Sequence, residues 1–143
     1  MKSTAITMVI LLASSSMMPA QGAGVIHNAE QASKQTTSNS ELQRAITKAT
    51  GYDSANLEVE TTKNQITITI INSKLNTRSS TEREAEATKI ISAISDTISE
   101  NPNLAKVVIF HIDYVIRTEG KTRPIQRIDF HKTPAGVFVL HKT

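Results

Sequence analysis

The chain has 143 residues, room for one domain, and a formal net charge of +3 from 16 basic and 13 acidic side chains. That near balance, with two Tyr, three Phe and no Trp, argues against a nucleic-acid surface, which needs clustered cations and stacking platforms. There is no cysteine, so neither a disulfide nor a lipid-modified cysteine is available and the fold has to rest on core packing.

Met1 and Lys2 precede an apolar run from Ala5 to Ala13, and Pro19, Ala20, Gly22 and Ala23 supply small residues after it. Basic start, short apolar core and small-residue site are the order of a secretory signal, expected to be cleaved after Gly22. The run is about half the ~20 residues that a membrane-crossing helix needs, so no stable membrane anchor is expected after cleavage. Loss of Lys2 takes the formal charge from +3 to about +2. An exported product, periplasmic or extracellular, is the expectation, and the missing disulfides lean toward bacterial export.

Residues 23–38 are rich in Ala, Gln, Ser and Thr without a sustained period, and read as a flexible polar tail ahead of a single domain over 39–143. Ser38 and Glu41 have capping-box spacing, and Leu42, Ala45, Ile46 and Ala49 then fall on one helical face before Gly51. Leu57, Val59 and Thr61 alternate with polar residues, as do Ile66, Ile68 and Ile70. A two-residue turn at Lys63-Asn64 would pair Leu57 with Ile70, Val59 with Ile68 and Thr61 with Ile66, a hairpin whose apolar residues face one another.

After the polar loop 72–78, Ser79 and Glu82 mark a second capping box, and Ala87, Ile90, Ile91, Ile94 and Ile98 keep the helical period over about 80–100 until Asn101-Pro102-Asn103 stops it. Three strands follow at about 106–117, 123–132 and 136–142, joined by short turns that predict an antiparallel meander. The order αββαβββ predicts an α+β fold, with the helices packed on one face of a mostly antiparallel sheet.

Setting Phe110 opposite Phe130 and Ile112 opposite Ile128 puts Val108, Phe110, Ile112, Tyr114, Ile128 and Phe130 on the core face, with Phe130 meeting Phe138. Parity then fixes the other face: His111 opposite Asp129, Asp113 opposite Arg127, and His141 opposite Arg127 on the last strand. The candidate binding residues are therefore His111, Asp113, Arg127, Asp129 and His141, bordered by Ile109, Val115, Ile125, Val137 and Val139. Opposite charges at such positions pair across strands, so the plain reading is a paired sheet face. Imidazoles beside carboxylates also suit proton relay or a divalent metal, and His111, Asp129 and His141 define the alternative reading, a small hydrolase or metal-dependent enzyme. The aliphatic border is too apolar for a merely solvated face, which predicts a protein partner or a second copy of the chain as its cover.

No Gly-rich phosphate loop, Gly-x-Ser-x-Gly turn or metal-ligand spacing occurs in the sequence, so no catalytic residue, metal ligand or cofactor is assigned. About 105 folded residues leave little volume for a core and an enclosed pocket together. The expected function is a small exported, non-enzymatic binding or protein-interaction module.

Overall fold

The computed structural model describes the backbone of residues 23–142 and the side chains of residues 29–142. The expected signal segment 1–22 lies outside the described residues. Helix α1 (Ala23–Thr50) leads into the hairpin of β1 (Leu57–Thr61) and β2 (Gln65–Ile71), helix α2 (Ser80–Glu100) follows, and β3 (Ile109–Thr118), β4 (Lys121–Lys132) and β5 (Phe138–His141) complete the chain. The strands form one five-stranded sheet in chain order. Every neighbouring pair is antiparallel except β2 and β3, which α2 joins as a parallel crossover.

Leu42 and Ile46 of α1 and Ala87, Ile90, Ile91, Ile94 and Ile98 of α2 share one buried cluster with Ile66, Ile68, Ile70, Phe110, Ile112, Tyr114, Ile128 and Phe130. Those strand residues all have one parity, so both helices lie on the same face of the sheet. Each fully buried Ile or Phe contributes about 1.5–3 kcal/mol relative to an exposed one, and this layer is what replaces disulfides in a cysteine-free chain.

The hairpin has the pairing its alternation predicts, Leu57 with Ile70, Val59 with Ile68 and Thr61 with Ile66. The Thr62 amide closes it onto the Gln65 carbonyl at 2.8 Å. At α2 the Ser79 hydroxyl accepts from the Glu82 amide while the Glu82 carboxylate accepts from the Ser79 amide, so the capping box forms as expected.

The stretch 23–38, expected as a flexible polar tail, is instead the first half of α1. Its hydroxyls do not compete with the helix. Thr36, Thr37, Ser38 and Ser40 donate back to the carbonyls of Ala32, Ser33, Lys34 and Thr36, bonding within the helix. Ser38 and Glu41 are consequently not a helix start. Ser38 is buried at 2% exposure, and both side chains accept from Asn101 Nδ2 at the end of α2, at 3.1 and 3.2 Å.

Three further expectations change. Val107, not Val108, fills the core: the strand begins only at Ile109, and Val108 is 42% exposed. A bulge between Tyr114 and Val115 sets Gln126 opposite Tyr114 and Pro124 opposite Val115, leaving Ile125 unpaired. Pro124 has no amide to give the ladder, and the extra residue turns Ile125 onto the core instead of the opposite face. Finally, Phe130 pairs with Leu140 and not Phe138. A Phe130–Phe138 register would leave only Pro134 at the apex. The chain reverses through Pro134, Ala135 and Gly136, with Gly136 at φ +84° and the Thr133 amide bonded to the Val137 carbonyl at 2.8 Å. Phe138 still reaches the core, packing edge-on to Phe110 with ring centroids 4.7 Å apart.

Candidate functional site

The face of the sheet turned away from the helices is built from the odd-numbered residues of β2, β3 and β5, those of β4 after its bulge, and Glu58 and Glu60 of β1. Its parity comes from the core: once Phe110, Ile112, Ile128 and Phe130 point at the helices, His111, Asp113, Arg127 and Asp129 must point the other way. His111 Nδ1 donates to Asp129 Oδ1 at 2.7 Å, and its Nε2 lies 3.3 Å from Gln65 Oε1 on β2. Beside it Arg127 holds Asp113 with two parallel bonds of 2.7 Å, Nε to Oδ1 and Nη2 to Oδ2. The Asp113 hydrogen bond raises the Arg127 pKa above the usual arginine value.

His141 departs from its expected place. The shifted β5 register sets it opposite Asp129 instead of Arg127, and its ring stacks on His131, centroids 4.2 Å apart and planes within 6° of parallel. His131 carries no site signal in the sequence, because its approach to His141 depends on the length of the turn between β4 and β5. Gln65 was likewise missed, because its contact with His111 depends on the parallel β2–β3 pairing, which no local pattern announces. Val137 and Val139 share this face at 59% and 47% exposure. Of the expected border, Ile109 is half-buried, Val115 pairs with Ile71 with each only 5% exposed, and Ile125 has left the face through the bulge.

Among the described residues no group of three or more His, Cys, Asp or Glu side chains is arranged to hold a metal ion. On this face Asp129 is engaged by His111, Asp113 by Arg127 and Glu58 of β1 by Arg117, so the arrangement stores its charge in cross-strand pairs. No family model, curated protein or solved structure matches the chain. Any functional reading therefore stands on its own side chains.

The two edges of the sheet differ. On β1, Gln35 of α1 donates to the Thr61 carbonyl and Gln43 donates to the Leu57 carbonyl at 2.7 Å. Both carbonyls point away from β2, because the bonded Thr62–Gln65 pair makes Leu57, Val59 and Thr61 the outward-facing set. Helix α1 thus blunts that edge. On β5 the bonded Thr133–Val137 pair directs the backbones of Val139 and His141 to β4, leaving those of Phe138 and Leu140 turned outward. No described side chain bonds to them.

A second polar cluster joins the layers. Both tyrosines of the chain converge on Glu86: Tyr52 donates to it at 2.8 Å and Tyr114 at 2.9 Å, and the Tyr52 hydroxyl lies 2.6 Å from Ser73 Oγ. Burial pushes the Tyr52 pKa up to about 12, and burial followed by the Glu86 charge pushes Tyr114 up further. Arg83, 8% exposed, donates to Gln126 at 2.6 Å and to the carbonyls of Leu75 and Arg78, locking the start of α2 to the bulge in β4. These groups satisfy one another between helix and sheet, which suits a tie between layers.

Proposed function

We propose that this chain is a small exported, non-enzymatic module that binds a protein through the helix-free face of its sheet, at the end formed by β4 and β5. The observation that carries the reading is the asymmetry of cover. Both helices pack on one face, and α1 also shields the β1 edge with Gln35 and Gln43, while Val137 and Val139 stay exposed beside an unshielded β5. The paired charges of His111, Asp129, Asp113 and Arg127 give that face a fixed polar pattern for a partner to match. Export rests on the basic, apolar and small-residue order of residues 1–22. No described helix is long and apolar enough to cross a membrane.

The test is site-directed photo-crosslinking of the full-length chain in its own host, with a benzophenone side chain at position 139 and, as control, at exposed position 89 on α2. A discrete protein adduct from 139 alone, found in the exported fraction, is the expected result. Adducts from neither position, or equally from both, would overturn it.

A further inference from the structure

We propose that the free edge of β5 accepts an extended, acidic segment of another protein as an additional antiparallel strand. The inference deepens the reading above and rests on it. The outward backbone groups of Phe138 and Leu140 are a template for main-chain pairing, and the opposite edge of the same sheet is shielded by two glutamines. Strand addition gives affinity through the backbone, so specificity has to come from side chains flanking the edge.

The charges nearest that edge are two lysines, one at each end. Over β5 and the part of β4 that pairs with it, from Asp129 onward, the chain carries Lys132 and Lys142 against one acidic side chain, Asp129. Asp129 is engaged by His111, and Arg127 is neutralised by Asp113 from β3. Lys132 lies over the Phe138 ring at 5.6 Å, and Lys142, 76% exposed, is 3.4 Å from Glu84 on α2. Two cations therefore bracket the strand at its two ends, Lys132 with no ion-pair partner among the described residues and Lys142 in an exposed pair with Glu84. A second copy added edge to edge would set the two basic flanks against each other, whereas a strand with acidic side chains meets complementary charge. Phe138 and Leu140 are half-buried on the helix side and Val139 is exposed on the other, so apolar residues at alternate positions of the incoming strand have neighbours to pack on.

The probe is an eight-residue synthetic peptide alternating Glu and Val, compared with its Lys-Val counterpart and with a Glu-Val peptide N-methylated at alternate amides, each titrated into the full chain. Binding of the Glu-Val peptide is expected, with new amide-exchange protection at Phe138 and Leu140. N-methylation should abolish it, and Lys132→Glu with Lys142→Glu should weaken it about tenfold or more and favour the Lys-Val peptide. Leu140→Pro removes an outward donor; because it can also disturb folding, the N-methylated peptide makes the same test on the unaltered protein. Equal binding of both charge types, survival of binding after N-methylation, or self-association that excludes the peptide would overturn the proposal. A position-139 crosslink that persists when no peptide binds would overturn strand addition and leave the broader surface reading standing; loss of both would overturn both.

Discussion

His111 Nδ1 lies 2.7 Å from Asp129 Oδ1, directly across the β3–β4 ladder, and the next polar pair along the same face, Asp113 with Arg127, repeats the arrangement with two bonds of the same length. Both pairs sit on a half-open face, so their worth is set by packing and screening more than by bare charge. In a double-mutant cycle of His111→Ala and Asp129→Ala, read by urea unfolding, the coupling is expected at about 0.2–1 kcal/mol and smaller at high salt. A coupling of several kcal/mol would instead mark a desolvated functional pair and would count against the interaction-module reading.

That pair is legible in the sequence because β3 and β4 alternate so regularly that one apolar match, Phe110 with Phe130, sets His111 opposite Asp129 and Asp113 opposite Arg127. The β1–β2 register and α2 were legible for the same reason, one unbroken period each. Where the period stops, so does legibility. The first half of α1 has no apolar stripe, and what holds it is Gln35 and Ser38 reaching distant partners. Pro124 within a strand was a visible sign of the bulge, but its consequence for Ile125 needed the true pairing. The two-residue displacement of β5 preserved every face and changed every partner, which is why His141 kept its side of the sheet and exchanged Arg127 for Asp129.

The two tyrosines make an alkaline prediction with a direct optical readout, since the chain has no others and no Trp. Both phenols are held protonated, Tyr52 up to about 12 and Tyr114 higher, chiefly by burial beside Glu86. A raised folded-state pKa contributes stability that is whole below the unfolded value near 10 and is lost as pH rises toward the folded one. Tyrosinate absorbance is therefore expected to be absent from the folded protein at pH 10 and to appear at about pH 12 together with unfolding. Half-ionisation of either tyrosine near pH 10 with the fold intact would refute the closed network. Tyr114→Phe, which removes one donor to Glu86, should cost about 1–3 kcal/mol.

On the acid side the relevant group is Glu82, whose pKa is lowered first by the Ser79 backbone amide and then by the Ser79 hydroxyl. A depressed folded-state pKa contributes stability that is present above the unfolded value of 4.5 and lost as pH falls through the folded one. Glu58 behaves alike through Arg117, whose guanidinium bonds both of its carboxylate oxygens. Ser79→Ala should cost about 1 kcal/mol at neutral pH by removing the cap. In Glu82→Gln the slope of stability against pH below 4.5 should flatten relative to the parent, measured by thermal unfolding across that range; an unchanged slope would show that the box does not hold its carboxylate ionised.

The contrast between the two sheet edges can be tested by erasing it. Gln43→Ala leaves the outward carbonyl of Leu57, a residue 2% exposed, without its side-chain donor, a loss expected to cost about 1 kcal/mol. Gln35→Ala does the same at Thr61 and also releases the half of α1 that precedes Ser38, so amide exchange should quicken over that half and spare the rest of the helix. With both glutamines replaced, β1 presents the kind of unguarded backbone that β5 presents in the native chain, with Lys34, Lys63 and Lys106 standing around Glu60 and Thr61 at one end of it and Glu58 held by Arg117 toward the other. The double variant should therefore gain a second place for an added strand, read as amide protection of Val59 that appears with peptide in the double variant and not in the parent. If the double variant binds neither peptide at β1, as read by amide protection of Val59, the two glutamines are not what closes that edge.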